Sequence, residues 1–280
     1  MSTLWEVLWH QSGTPTRIVR WDTDVRVRFV GVNAAGNKPH TMEALRAVTD
    51  EAGVKLIDVS DLPAAEQQAN LNVEIVADTA LEDNQPCVTV LDFKTETRID
   101  SATIQMRNRD AWRCAYHEAM HVMGVRGHPA GQTVLSYFPW KVDGLLPLDK
   151  VMLRAWYAPR MQPGMTPFEA LPVLVDELVA QQSDKKLAAS ARDRFFSTTI
   201  AQMQSYADGK GDVPAVVKRS GKSTADGIKF GRGEMSYFLG VAYMEGATVK
   251  RDSMQAVRWL ERASAMGNRG AQAKLGAFKQ

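Results

Sequence analysis

His117-Glu118-Ala119-Met120-His121 constrains this chain more than any other stretch. It lies late in a segment, Arg109 to Val125, whose length and residue choice predict a helix. Helical positions four apart share one face, about 5–6 Å apart at Cβ. His117 and His121 can therefore hold one metal ion with Glu118 beside it. With five His and thirteen Glu in 280 residues, random placement gives about 0.004 such motifs per chain, so coincidence explains it poorly. Two core histidines flanking a glutamate would also bury a charge at high cost. The pattern predicts a Zn²⁺ site with Glu118 as a general base.

The segments before the motif read as alternating strands and one helix. Thr16 to Val30 reads as extended, with Val25, Val27 and Phe29 alternating with Arg26 and Arg28. Gly31 to Pro39 reads as a loop. Met42, Leu45, Val48 and Ala52 then follow helical spacing, with Thr41 as N-cap and Gly53 at the far end. Further strands are expected at Val54–Val59, Leu71–Ala77, Val88–Phe93 and Ile99–Met106. The motif helix follows, and its other face (Trp112, Ala115, Ala119, Val122, Met123) is expected to pack on the sheet. The fold class is thus α+β, a mixed five-stranded sheet carrying a zinc-binding helix, followed by an all-α region.

After the helix, Gly124 stands where a chain leaving it needs a positive φ to turn back toward the metal. Gly127 and His128 follow, so three of the five histidines fall within twelve residues. His128 is the expected third ligand, with Asp143 and Asp149 as the alternatives. Thr133-Val134-Leu135-Ser136-Tyr137 comes next, followed by the stretch Leu145 to Tyr157. From about Arg20 to Glu177 the chain resembles metzincin-type zinc peptidases, in particular uncharacterised bacterial metzincin-like domains. Their pattern H-E-x-x-H-x-x-G-x-x-H is matched through Gly124. It departs by one residue before His128, and Leu135 stands where the methionine of the family's Met-turn would be. The resemblance implies peptide hydrolysis, with His117, His121 and His128 holding Zn²⁺ and Glu118 relaying a proton from water to the leaving amine. It also implies that Tyr137 lies near the metal and helps stabilise an oxyanion, that Val88–Phe93 edges the cleft and pairs with a peptide or protein substrate, and that Leu145 to Tyr157 is the family's final helix with Asp149 at its N-cap.

In the C-terminal third, Pro167–Gln182 and Lys185–Tyr206 read as helices. Leu171, Leu174, Val175 and Leu178 form the apolar face of the first; Leu187, Ala191, Phe195 and Ile200 supply much of the second. Ala207 to Gly227, rich in Gly, Lys, Ser and Asp, reads as a linker. Beyond it Leu239-Gly240-x-x-Tyr243-x-x-Gly246 precedes Asp252, Ala256, Trp259, Ala263 and Gly267. The phrase restarts at Leu275-Gly276, 36 residues on. This resembles the Sel1-like repeat, a relative of the tetratricopeptide helical pair, which implies contact with a protein partner. The expected domains are a metzincin-like domain at 1–160, a helical connector at 161–207, a linker at 208–230 and Sel1-like repeats at 231–280.

Composition narrows the classes further. A formal charge of +2 with scattered Lys and Arg argues against nucleic acid. No run approaches the roughly 18 apolar residues of a membrane span, and Met1 to Gln11 does not read as a signal peptide. Cys87 and Cys114 are read either as reduced thiols or as one disulfide. A disulfide or a trimmed leader implies an extracytoplasmic compartment; otherwise the chain is cytoplasmic. Two other functions remain open, a non-catalytic scaffold with a vestigial zinc site and a metal hydrolase acting on a cell-wall peptide or amide.

Overall fold

The computed structural model describes residues 7–8, 17–63, 66, 68–95, 97–129, 131–136, 143–210 and 225–278. Two compact units divide them at residue 166. The first holds a five-stranded sheet. In chain order it comprises β1 (Val25–Gly31), α1 (Ala34–Ala52), β2 (Leu56–Asp58), β3 (Leu71–Val76), β4 (Cys87–Thr95), β5 (Arg98–Arg107), α2 (Ala111–Val122) and α3 (Pro147–Trp156). The strands run in the order β2-β1-β3-β5-β4. All neighbours are parallel except β4, which is antiparallel to β5 at the sheet's edge. The expected α+β fold with a mixed five-stranded sheet is present.

Alternation explains the sheet. Val25, Val27 and Phe29 of β1, Leu71, Val73 and Ile75 of β3, and Ala102, Ile104 and Met106 of β5 are buried. Register aligns these residues across the three strands. The opposite face is polar, with the Arg28 guanidinium donating to Asn72 Oδ1 and Gln105 Nε2 donating to Glu74 Oε2. α1 and α2 pack against each other and against the sheet.

The extended run before β1 joins the sheet at one point, an isolated parallel bridge of Arg20 to Arg98 of β5, and otherwise meets the segment after α3, with Ile18 N–H donating to Met165 O and Gly164 N–H to Ile18 O. Three local expectations are corrected. The expected Gly31–Pro39 loop is mostly helix, because α1 starts at Ala34 and contains Pro39. Asn33 and Asn37 both donate to Asn108 Oδ1, a tertiary tie that holds this first turn against its loop-forming composition. Trp112 does not pack on the sheet. It is 44% exposed and stacks on His40 of α1, ring centroids 4.8 Å apart, because the first turn of α2 meets α1. Asp149 is not the N-cap of α3; Leu146 is, and Asp149 lies one turn in with its carboxylate accepting the Leu146 N–H at 3.0 Å.

The second unit is helical in its described residues: α4 (Pro167–Ala180), α5 (Lys185–Ala207), α6 (Ala225–Glu245), α7 (Ser253–Ala265) and α8 (Arg269–Phe278). α4 buries Leu171, Leu174, Val175 and Leu178 as expected. α5 buries a face one residue away from the expected one. Ala188, Phe196, Ile200 and Met203 are inside, Leu187 is 62% exposed, and Ala191 and Phe195 are half-buried. The doublets Leu187-Ala188 and Phe195-Phe196 offered both faces, and packing chose the one that continues to Tyr206 and Ala207. The range read as a linker begins inside α5 and ends inside α6, and residues 211–224 lie outside the described ones. α6 and α7 form a tight pair at Gly240, where a Cβ would lie 2.6 Å from Leu260 Cγ. No described helix is long and apolar enough to cross a membrane.

Candidate metal centre

α2 brings the first two histidines together by its own periodicity. His117 and His121 are buried on one face, and their Nε2 atoms lie 3.1 Å apart. The third comes from the following loop. Gly124 ends the helix at φ 89°, and a Cβ there would lie 2.3 Å from Val19 O, so only glycine fits both the angle and the space. The last helical carbonyls are not orphaned. Trp21 Nε1 donates to Val122 O at 2.8 Å and Tyr157 Oη to Met123 O at 3.1 Å. From this turn His128 returns with its Nε2 3.1 Å from both other Nε2 atoms. The loop therefore absorbs its additional residue, and His128 joins the cluster.

The rings are oriented by backbone carbonyls. His117 Nδ1 donates to Val134 O at 2.8 Å, and His121 Nδ1 donates to Val125 O at 2.7 Å. A carbonyl only accepts, so in the neutral rings the proton sits on Nδ1 and the Nε2 lone pair is bare. Lone pairs converging at 3.1 Å repel one another, and a cation among them removes that repulsion. The donor set fits a metal ion on this ground. A tetrahedral ion with nitrogen bonds of about 2.05 Å holds its ligands roughly 3.3 Å apart, close to the spacing here. An all-imidazole set suits several first-row metals, zinc among them. Burial also pulls His117 below the ordinary imidazole pKa, which favours the neutral, ligating form.

Beneath His117 lies the turn that carries Val134. Thr133 Oγ1 donates to Asp149 Oδ1, and Val134 N–H donates to Asp149 Oδ2 at 3.1 Å. Asp149 is fully buried, and every partner named here is a donor, so its carboxylate pins the turn whose carbonyl orients His117. The sequence offered Asp149 and Asp143 as alternative ligands. Asp149 holds the turn instead, and among the described residues the metal-competent cluster consists of the three histidines. Leu135 is buried within the same turn. Tyr137 lies outside the described residues.

Glu118 faces β4. Thr89 Oγ1 donates to Glu118 Oε2 at 2.6 Å, and burial pushes the Glu118 carboxyl up to about 7, with the Thr89 hydroxyl opposing that shift. Cys87, two residues before Thr89, is disulfide-bonded to Cys114, four residues before Glu118. Two strand residues rise about 6.7 Å and four helical residues about 6 Å. Consecutive same-face positions of β4 can thus meet consecutive turns of α2, one through the disulfide and one through the hydrogen bond. The choice left open between free thiols and a disulfide is decided for the disulfide. Thr89 was not singled out from the sequence, although its parity with Cys87 in the strand could have marked it.

Comparison with family models, with curated proteins and with solved structures finds no match for this chain. The site stands on its own geometry.

Proposed function

We propose that this chain is a zinc-dependent hydrolase of peptide bonds. The observation that carries the proposal is the convergence of three Nε2 atoms at 3.1 Å on the helix that also presents a buried Glu118 carboxyl. His117, His121 and His128 would hold the ion. Zinc, when bound, supplies a Lewis acid that acidifies a water molecule and polarises a carbonyl.

The chain's own residues account for the rest. Glu118, with a pKa near neutrality, is poised both to take a proton from water and to return one to a leaving amine. Thr89 occupies Oε2, which leaves Oε1 for that exchange. Among the described residues β4 pairs only with β5, so its other edge offers N–H and C=O groups to which an extended peptide can add as a strand. The Cys87–Cys114 bond holds that edge against α2 and suits an oxidising compartment. The helical pair at Gly240 and Leu260, with Gly270 against the Tyr237 ring, supports a protein-contact role for α6 to α8.

The test begins with metal content by elemental analysis, for which about one zinc per chain is expected. A peptide library is then assayed with and without chelator. Glu118→Gln should retain the zinc and lose roughly 10³-fold in turnover. Turnover equal to wild type in Glu118→Gln overturns the mechanism. A zinc-loaded wild type that cleaves nothing favours the scaffold reading instead.

A further inference from the structure

Arg126 stands between Val125, whose carbonyl orients His121, and the ligand His128. Its guanidinium carbon lies 5.4 Å from the centroid of the Phe93 ring. Its Nε is buried without a hydrogen-bond partner, and among the described residues no carboxylate pairs with the group. Two other deeply placed guanidiniums have acceptors for their outer N–H groups: Arg107 pairs with Asp83 and Asp110, and Arg20 donates to Ala158 O and Met161 O. A partly buried cation held against a ring keeps its in-plane N–H fork for a planar anion, which is the geometry of carboxylate recognition.

Phe93 places this cation relative to the site. Thr89, Leu91 and Phe93 share one face of β4, the face that meets Glu118. The register irregularity after Asp92 puts the additional residue, Asp100, on β5, so the alternation of β4 continues to Phe93. Phe93 lies four residues from Thr89, about 13 Å along the strand. Phe93 is also 37% exposed, a large apolar side chain beside a sheet edge that pairs with no other strand among the described residues. A peptide added to that edge advances about 3.3 Å per residue. It therefore reaches Arg126 a few residues away from the bond that lies beside Glu118.

We propose that Arg126 is a specificity residue: it receives a carboxylate of a peptide laid along β4, so the preferred substrates carry Asp or Glu roughly three to five residues from the cleaved bond. The proposal rests on the peptidase reading above, and its test separates the two. Fluorescein-labelled decapeptides in Glu and Gln twins, with the residue moved through every position, are titrated by anisotropy against zinc-loaded Glu118→Gln protein. The Glu twin should bind about tenfold tighter at one cluster of positions, the size of one charge-assisted bond at a partly exposed site. Arg126→Gln, added to the same background and checked for zinc content and circular dichroism, should abolish the difference. Arg126→Glu should turn the preference toward a Lys twin. Equal binding of the twins at every position, no peptide binding at all, or a preference that survives Arg126→Gln overturns the assignment. Turnover of the same peptides by wild type is read separately. Binding with acidic preference but no cleavage upholds Arg126 and overturns the peptidase reading. Cleavage without acidic preference does the reverse.

Discussion

Asp149→Asn tests how the candidate metal centre is held from below. The carboxylate is fully buried and accepts from the Thr133 hydroxyl, from Val134 N–H at 3.1 Å and from Leu146 N–H at 3.0 Å. An amide of the same shape has one accepting oxygen, and its NH₂ must face a donor on the other side. The substitution therefore loses one charge-assisted hydrogen bond and leaves a buried donor unsatisfied, about 2–4 kcal/mol in all. Burial holds the Asp149 pKa above the usual carboxylate value, so part of that loss is offset by removing a desolvated charge, and the lower end is expected. For a unit of this size the melting temperature should fall by about 4–8 °C, read by calorimetry on the zinc-loaded protein. The same turn carries Val134 O, which accepts from His117 Nδ1, so zinc affinity should weaken about 10–100-fold in a competition with a chromogenic chelator. In metal-free protein, ¹⁵N spectra should show the His117 tautomer preference reduced. Unchanged stability together with unchanged zinc affinity would refute the argument that Asp149 positions His117.

Three further predictions follow from burial and packing. In metal-free protein burial raises the Glu118 pKa to about 7 from an ordinary 4.5, so its stability contribution falls as pH rises between those values, by roughly 3 kcal/mol. His117 acts oppositely, since burial lowers its pKa and stability from it rises with pH toward 6.5. Denaturant titrations of wild type minus Glu118→Gln isolate the glutamate, and a pH-independent difference would refute it. Replacing Cys87 and Cys114 by Ser opens a loop with a sequence separation of 27, worth about 3.5 kcal/mol by chain entropy, and urea midpoints should fall accordingly. Gly240→Ala sets a Cβ 2.6 Å from Leu260 Cγ and 3.1 Å from Leu260 N, and should destabilise the helical unit by about 2 kcal/mol in chemical denaturation. A neutral outcome would mean that α6 and α7 are not packed backbone to backbone there.

Interactions within a few residues of one another were legible in the chain itself. Period-two alternation at Val25 to Phe29 and Leu71 to Ile75 specified buried strands, because the pleat sends successive side chains to opposite faces. The four-residue spacing of His117 and His121 specified a shared helical face, and Gly124 marked the turn that returns His128 to them. Where two local patterns competed, sequence did not choose. The doublets of α5 and the loop-like start of α1 were decided by the partners those segments meet. The surroundings of the metal centre were decided the same way. Val134 O on His117, Asp149 beneath that turn, Thr89 on Glu118 and Phe93 against Arg126 join residues 15 to 33 positions apart. No periodicity spans such distances, since closing those loops is favourable only once the sheet and α2 have packed. The chain alone therefore determined which residues can ligate, and tertiary structure determined how they are aimed, how Glu118 is desolvated and which cation lies against the Phe93 ring of β4.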